Sequence, residues 1–143
     1  MQVEGYNIPE DFFYDTNNYW IKVNNDEAII GISAYGQSTI GDVLYVDTID
    51  KGNYIKKLED AGSVEAGKWV GRIIVPISGT ILEKNGAVIK EPGLLNSDPY
   101  GKGWILRLQI NEKNELNELM DAKAYAKWVQ EQVAKEQEDE MLI

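Results

Sequence analysis

The sequence predicts a mainly β domain with a short internal helix and an α-helix at its C-terminus, and three observations predict it. Gly52, Gly62, Gly67, Gly71 and Gly79 punctuate a series of short apolar runs, the spacing of a small sandwich or barrel. Trp104, Leu106, Leu108 and Ile110 alternate with Ile105, Arg107 and Gln109, as on a strand with one buried face. Past Asn114 the period changes, and Leu116, Leu119, Met120, Tyr125, Trp128, Val129 and Val133 recur at helical steps.

Along the chain, Pro9 to Asp15 reads as an opening turn. Trp20-Ile21-Lys22-Val23 and Ala28-Ile29-Ile30-Gly31-Ile32 flank the turn Asn24-Asn25-Asp26-Glu27 and predict a hairpin. Ser33 to Gly41 breaks the strand pattern and predicts a short helical turn closed by Gly41. Val43-Leu44-Tyr45-Val46 is the next strand. Within Arg72 to Leu82, Pro76 lacks the N–H that a central ladder needs, so an edge or a bend is expected there. Pro92 to Gly103 is a turn-rich loop. Asn111 or Asn114 is placed to cap the terminal helix, with Glu115 and Glu118 in its early turns. Residues 1–130 read as a single domain, and residues 131–143, with five acids against one Lys, as an acidic frayed tail.

Composition bounds the function. At 143 residues the chain has room for one core. Lys and Arg total 14 against 24 Asp and Glu, a net charge of −10, which argues against binding nucleic acid phosphates or an anionic membrane. No apolar run is long enough to span a bilayer, and MQVEGYNIPEDFF lacks the basic and apolar regions of a signal peptide, so a cytoplasmic protein is expected. There is no Cys and no His. Disulfides, thiol nucleophiles, Ser-His-Asp triads and the usual zinc ligands are therefore excluded. The chain is expected not to be an enzyme in its own right, with any reactive group supplied by a cofactor or a partner.

One stretch stands out, Ser63-Val64-Glu65-Ala66-Gly67-Lys68-Trp69-Val70-Gly71. Ala66-Gly67 suits a hairpin tip because Gly accepts positive φ, and Lys68 would then project into water. From spacing alone a solvated turn lysine is the simpler reading.

The chain resembles the glycine cleavage system H proteins, which are lipoyl carriers. The matching pieces are Pro9, Trp20-Ile21-Lys22-Val23, Ile30-Gly31-Ile32, Gln37, Ile40-Gly41-Asp42-Val43, Glu65 with Lys68, and Pro76-Ile77-Ser78-Gly79. Asn96, Asp98-Pro99-Tyr100, Gly103-Trp104 and Asn117 to Tyr125 complete the ordered set. The resemblance implies a barrel-sandwich hybrid of two small antiparallel sheets, with lipoate in amide linkage on Lys68. It implies that Glu65, Gly52 and Gly79 serve recognition for lipoylation. The implied partners are a lipoate ligase or transferase, dihydrolipoamide dehydrogenase, glycine decarboxylase and aminomethyltransferase. A biotin carrier is the nearest rival, but it has Met-Lys-Met where this chain has Gly67-Lys68-Trp69.

The chain departs from the family where the family shelters a cationic aminomethyl group. Ser-His-Glu-Trp becomes Asn17-Asn18-Tyr19-Trp20, Asp-His becomes Ala34-Tyr35, and the Asp four residues past the lysine becomes Arg72. Losing carboxylates removes charge-assisted bonds to a cation, and a nearby Arg72 would repel one. Tyr19, Tyr35, Trp69 and Arg72 are thus the candidates to shelter the arm. The pattern is similar to paralogues that carry sulfur beside a heterodisulfide-reductase-like complex, which makes sulfur the expected cargo. The aminomethyl carrier is the alternative, and the simpler reading turns Arg72 outward and lays Trp69 over the core. Two further readings are an unlipoylated binding module and an enzyme using Glu65 with Tyr35 or Tyr45.

Overall fold

The structure, a computed structural model, describes residues 1–142. The N-terminus makes a short ribbon of β1 (Gln2–Val3) with β2 (Tyr6–Asn7), and β3 (Phe13–Tyr14) follows. The hairpin of β4 (Tyr19–Asn24) with β5 (Glu27–Ile32) turns on Asn25 and Asp26, with Asn25 left-handed at φ 56°. Asn tolerates that region because its short polar side chain bonds locally. Then come α1 (Ala34–Ile40), β6 (Val43–Thr48), β7 (Tyr54–Ile55), β8 (Asp60–Ala66), β9 (Trp69–Ile74) and β10 (Gly79–Lys84). Helices α2 (Gly86–Lys90) and α3 (Leu94–Ser97), strand β11 (Leu106–Ile110) and helix α4 (Ala122–Met141) complete the chain.

Apart from the β1–β2 ribbon, the strands form two antiparallel sheets that face each other. The larger runs β3-β4-β5-β11-β10-β7 and the smaller β6-β8-β9. Their inner faces supply one core, with Ile21, Ile30, Ile81 and Leu108 from the larger and Val46, Val64 and Ile73 from the smaller. Each such side chain contributes about 1.5–3 kcal/mol by leaving water. The expected sandwich of two antiparallel sheets is what the structure has, and neither sheet closes into a barrel. A second core lies on the outer face of the larger sheet, where Trp20, Tyr14 and Ile8 pack against Tyr35 of α1 and Tyr125 and Val129 of α4.

Pro76 falls in the bend between β9 and β10, as the sequence predicts. The loop after Pro92 is more ordered than expected. It holds α3, because Leu95 is drawn into the core. The terminal helix starts later than predicted, at Ala122, with the Asp121 carboxylate accepting from Ala124 N at 2.8 Å. Lys113–Glu118 is a 3₁₀ turn instead. Two bonds hold it there, since Glu115 accepts from Ser78 N at 2.7 Å and from Ser78 Oγ at 2.8 Å. Met120 then pairs with Tyr14 as an isolated bridge, and Leu116, Leu119 and Met120 all precede α4. Helix α4 continues to Met141, through the segment read as a frayed tail, with most side chains past Val133 exposed.

A candidate arm site at the tip of the β8–β9 hairpin

Strands β8 and β9 stay paired up to Ala66 and Trp69, which leaves Gly67 and Lys68 as the turn. The tip is bolted down by its backbone. Gly67 N donates to Asp42 O at 2.9 Å and Lys68 N to Ile40 O at 2.8 Å, while the Lys68 side chain is exposed. Gly67 is not left-handed, contrary to the sequence argument. The glycine that needs positive φ is Gly41, at φ 82°, where a Cβ would lie 3.3 Å from Lys68 Cγ. Gly41 closes α1, and its neighbourhood is held by Asn96. The Asn96 side chain accepts from Val43 N at 2.9 Å and donates to Gln37 Oε1 at 2.8 Å and Gly41 O at 2.9 Å. The scattered residues Gln37, Gly41, Val43 and Asn96 therefore form one bracket on which the lysine tip rests.

Beside the tip is a cleft of about 290 Å³. Thr16, Asn17, Asn18 and Tyr19 form one wall, and Ile32, Gly36, Thr39 and Ile40 the other, with Lys68 and Trp69 at the rim. Lys68 is its one charged lining residue. The Trp69 indole folds back over Gly71, where a Cβ would be 2.0 Å from Trp69 Cζ2. Tyr19 is 4% exposed, and burial pushes its phenol above the ordinary range. Asp15 lies behind the Thr16-Asn17 ridge and accepts from Asn17 N at 3.1 Å and Tyr19 N at 2.9 Å. Burial raises its pKa to about 6, against the lowering effect of those two N–H groups and of Lys57.

Of the four expected sheltering residues, Tyr19 and Trp69 line the cleft and the other two do not. Tyr35 is buried in the second core, where its hydroxyl donates to Glu136 Oε1 at 2.6 Å. Arg72 points outward, its side chain 66% exposed and paired with Asp60 at 3.3 Å. Glu65 is exposed on the outer face of the small sheet, in register with Tyr45 and Val70, so the structure gives no Glu65–Tyr pair in a cavity. Gly52 and Gly79 are not part of the small sheet: Gly79 opens β10 of the larger sheet, and Gly52 N donates to Ile81 O of that strand at 2.8 Å. Gly52 makes a turn at φ 95°, and a Cβ on Gly79 would lie 2.4 Å from Gln109 O. Both have local structural reasons for being glycine.

An exposed lysine on a rigid hairpin tip, beside a neutral cleft and on a two-sheet sandwich, suits a carrier. A family model for the Glycine cleavage H-protein matches residues 12–132. The chain belongs to the glycine cleavage H-protein family. It is 35% identical over 141 residues to glycine cleavage system H protein 4 of Aquifex aeolicus, covering 99% of this chain and 82% of that protein. To the H protein of Thermus thermophilus it is 41% identical over 118 residues, 82% of this chain and 92% of the relative. The crystal structure of the H protein from Mycobacterium marinum matches with a TM-score of 0.75 at 30% identity, over 85% of this chain and 98% of that one. H proteins of this family are carriers that hold lipoate covalently on a lysine.

These matches favour the aminomethyl alternative over the sulfur cargo expected from the sequence. The sulfur reading depends on three polar losses around the arm, and the structure turns two of those positions, Tyr35 and Arg72, away from the cleft. Only the exchange at Tyr19 remains beside it. Seven of the ten lining residues, Thr16, Asn17, Asn18, Ile32, Gly36, Thr39 and Ile40, were not foreseen as such. Asn18 stands in the Asn-Asn pair before Tyr19, and such a residue is a candidate for a left-handed position.

Proposed function

We propose that Lys68 is the lysine that carries lipoate, and that this H protein carries the aminomethyl group between glycine decarboxylase and aminomethyltransferase. The observation that carries the reading is the exposed Lys68 side chain at the rim of the neutral cleft, on a backbone fixed to Ile40 and Asp42. Lys68 enters no ion pair among the described residues, so its amine is available for an amide bond. The lipoyl group would supply a dithiol for group transfer, which a chain with no Cys lacks. Tethering raises the effective concentration of cargo at each partner's active site.

The chain's own residues have two tasks on this reading. The hairpin presents Lys68 to the lipoate ligase or transferase and, once modified, to dihydrolipoamide dehydrogenase. The cleft shelters the end of the arm, with Trp69 and Tyr19 excluding water and the Asn17 and Thr39 side chains offering neutral oxygens to the amine. The net charge of −10 favours a cationic cargo at longer range. Intact mass with peptide mapping, on protein purified from its native cells, tests the assignment. A lipoyl increment confined to Lys68, and lost in Lys68→Arg, is expected. An unmodified Lys68 in cells that lipoylate other proteins would overturn it. Failure of the lipoylated chain to accept aminomethyl groups from a glycine decarboxylase would overturn the cargo.

A further inference from the structure

The two walls of the cleft meet where Asn18 touches α1. Asn18 is left-handed, at φ 68°, and its backbone is held on both sides, with Asn18 N donating to Asp15 O at 3.1 Å and Ser33 N donating to Asn18 O at 2.8 Å. Gly36 packs so closely on it that a Cβ there would lie 2.5 Å from Asn18 Cβ. Neither Asn18 nor Ser33, the cap of α1, belongs to α4, yet both are tied to it. The Tyr125 hydroxyl lies 2.7 Å from Asn18 Oδ1 and 2.6 Å from Ser33 Oγ.

The direction of these bonds follows from the hydrogens available. Asn18 Oδ1 has none, so Tyr125 donates its single hydroxyl hydrogen there. Ser33 must then donate to the Tyr125 oxygen, while Ser33 Oγ accepts from Gly36 N at 3.0 Å as the cap of α1. One unidirectional chain therefore runs from Gly36 N–H through Ser33 and Tyr125 to Asn18, and such chains strengthen one another. Tyr125 itself is fully buried and stacked on Tyr14, with centroids 4.4 Å apart, so its hydroxyl is held in place.

We propose that Tyr125 is a positioning residue for the arm cleft, fixing Asn18 and the cap of α1 together so that the width of the cleft is set from the terminal helix. This rests on the reading of the cleft as the shelter of the arm. The test uses the full lipoylated chain, its arm reduced and loaded with formaldehyde and ammonia, where thiol, CH₂O and NH₃ give the S-aminomethyl group and water. Hydrolysis returns the thiol, formaldehyde and ammonium. The chain has no Cys, so the only thiols are the arm's own two, one loaded and one free, and release is read as the formaldehyde and ammonium set free.

The wild-type chain should lose the group more slowly than loaded free lipoamide. If it does not, the shelter reading itself fails, and the role of Tyr125 with it. Given that protection, Tyr125→Phe keeps the ring stack and should speed release by about threefold to tenfold. In the unlipoylated chain the same variant should speed amide hydrogen exchange at Gly36. Tyr35→Phe cuts another tie between α1 and α4, the bond to Glu136, and should change neither. Asn18→Gly keeps the left-handed backbone and removes the same bond from its other end, together with the wall Asn18 gives the cleft, so it should lose at least as much as Tyr125→Phe, and the double variant should match Asn18→Gly alone. Wild-type protection in Tyr125→Phe, equal loss in Tyr35→Phe, or additive losses with Asn18→Gly would overturn the proposal.

Discussion

The close approach of α1 to Asn18 makes one substitution change sign with its site. Gly36 is inside α1 and Gly86 opens α2, and each is replaced by Ala in turn. Ala favours a helix over Gly by about 1 kcal/mol in a helix interior, and by less at a first position. At Gly86 nothing lies within 4 Å of the added Cβ. Gly86→Ala should therefore gain roughly 0.5 kcal/mol. At Gly36 the same atom would meet Asn18 Cβ at 2.5 Å, Ile32 Cγ2 at 2.9 Å and Ser33 Oγ at 3.2 Å. The first of these cannot swing aside, because a Cβ moves only with its backbone and Asn18 is bonded through its N–H, its carbonyl and its side chain. Overpacking of this kind costs about 1–3 kcal/mol. Taking its upper half and subtracting the helix gain leaves Gly36→Ala less stable by about 1–2 kcal/mol. For a chain of 143 residues that lowers the Tm by about 3–6 °C, against a rise of about 1–2 °C for Gly86→Ala. Urea and thermal melts of the two variants read the difference. A Gly36→Ala protein as stable as the wild type would show that α1 and the Asn18 loop can part freely, which would refute the reasoning about the cleft walls.

Two further outcomes follow from groups near the cleft. Because the Asp15 pKa is raised by burial from its ordinary 3.8 to about 6, the folded chain holds this proton more tightly than the unfolded one between those values. Its stabilising contribution is full below about pH 4 and is lost as the pH rises through about 6. Asp15→Asn keeps an oxygen for Asn17 N and Tyr19 N and does not titrate. Urea melts should find it gaining on the wild type by roughly 1–2 kcal/mol between about pH 4 and pH 7.5, and an unchanged difference would show the carboxyl is not desolvated. Arg72→Asp should leave aminomethyl acceptance within about twofold of wild type, since an exposed charge acts weakly at a distance. A several-fold rise in acceptance rate would mean that Arg72 does face the arm.

Much of this fold was legible in the residues. Alternation found the β4–β5 hairpin, Ser33 and Gly41 bounded α1, and the glycines marked the short strands. The orientation of Arg72 was legible too, and the simpler reading that turns it outward is the one the structure bears out. Trp69, Gly71 and Ile73 share one face of β9 by strand parity, and Ile73 is in the core, so Val70 and Arg72 must face out. The start of α4 was obscured for a different reason. Leu116 and Leu119 have helical spacing, but they pack on the core from a 3₁₀ turn that Glu115 pins to Ser78, a contact across 37 residues that no local pattern reveals. Asp121 was a sound cap in the sequence, hidden behind the earlier Asn111 and Asn114. Tyr125 read only as an apolar position on the terminal helix. Its hydroxyl gains meaning once the fold brings it to Asn18, 107 residues away.

The cleft sits on the seam between the two cores, and that location suits a carrier. Tyr19 and Ile32 belong to the core between the sheets, while Tyr35 and Tyr125 belong to the one beneath α4. At the seam, packed elements meet without sealing, so Asn17, Asn18 and Thr39 offer polar atoms there. On the proposed reading, the missing carboxylate at Tyr19 is then an advantage as much as a loss. Burying an unpaired carboxylate while the arm is away costs several kcal/mol, and pairing it with an amine would make the cargo harder to give up. Neutral oxygens orient a cation at little desolvation cost, and the acidic surface supplies attraction at a distance. A protein that must load, shelter and release the same group gains from holding it weakly in a rigid place.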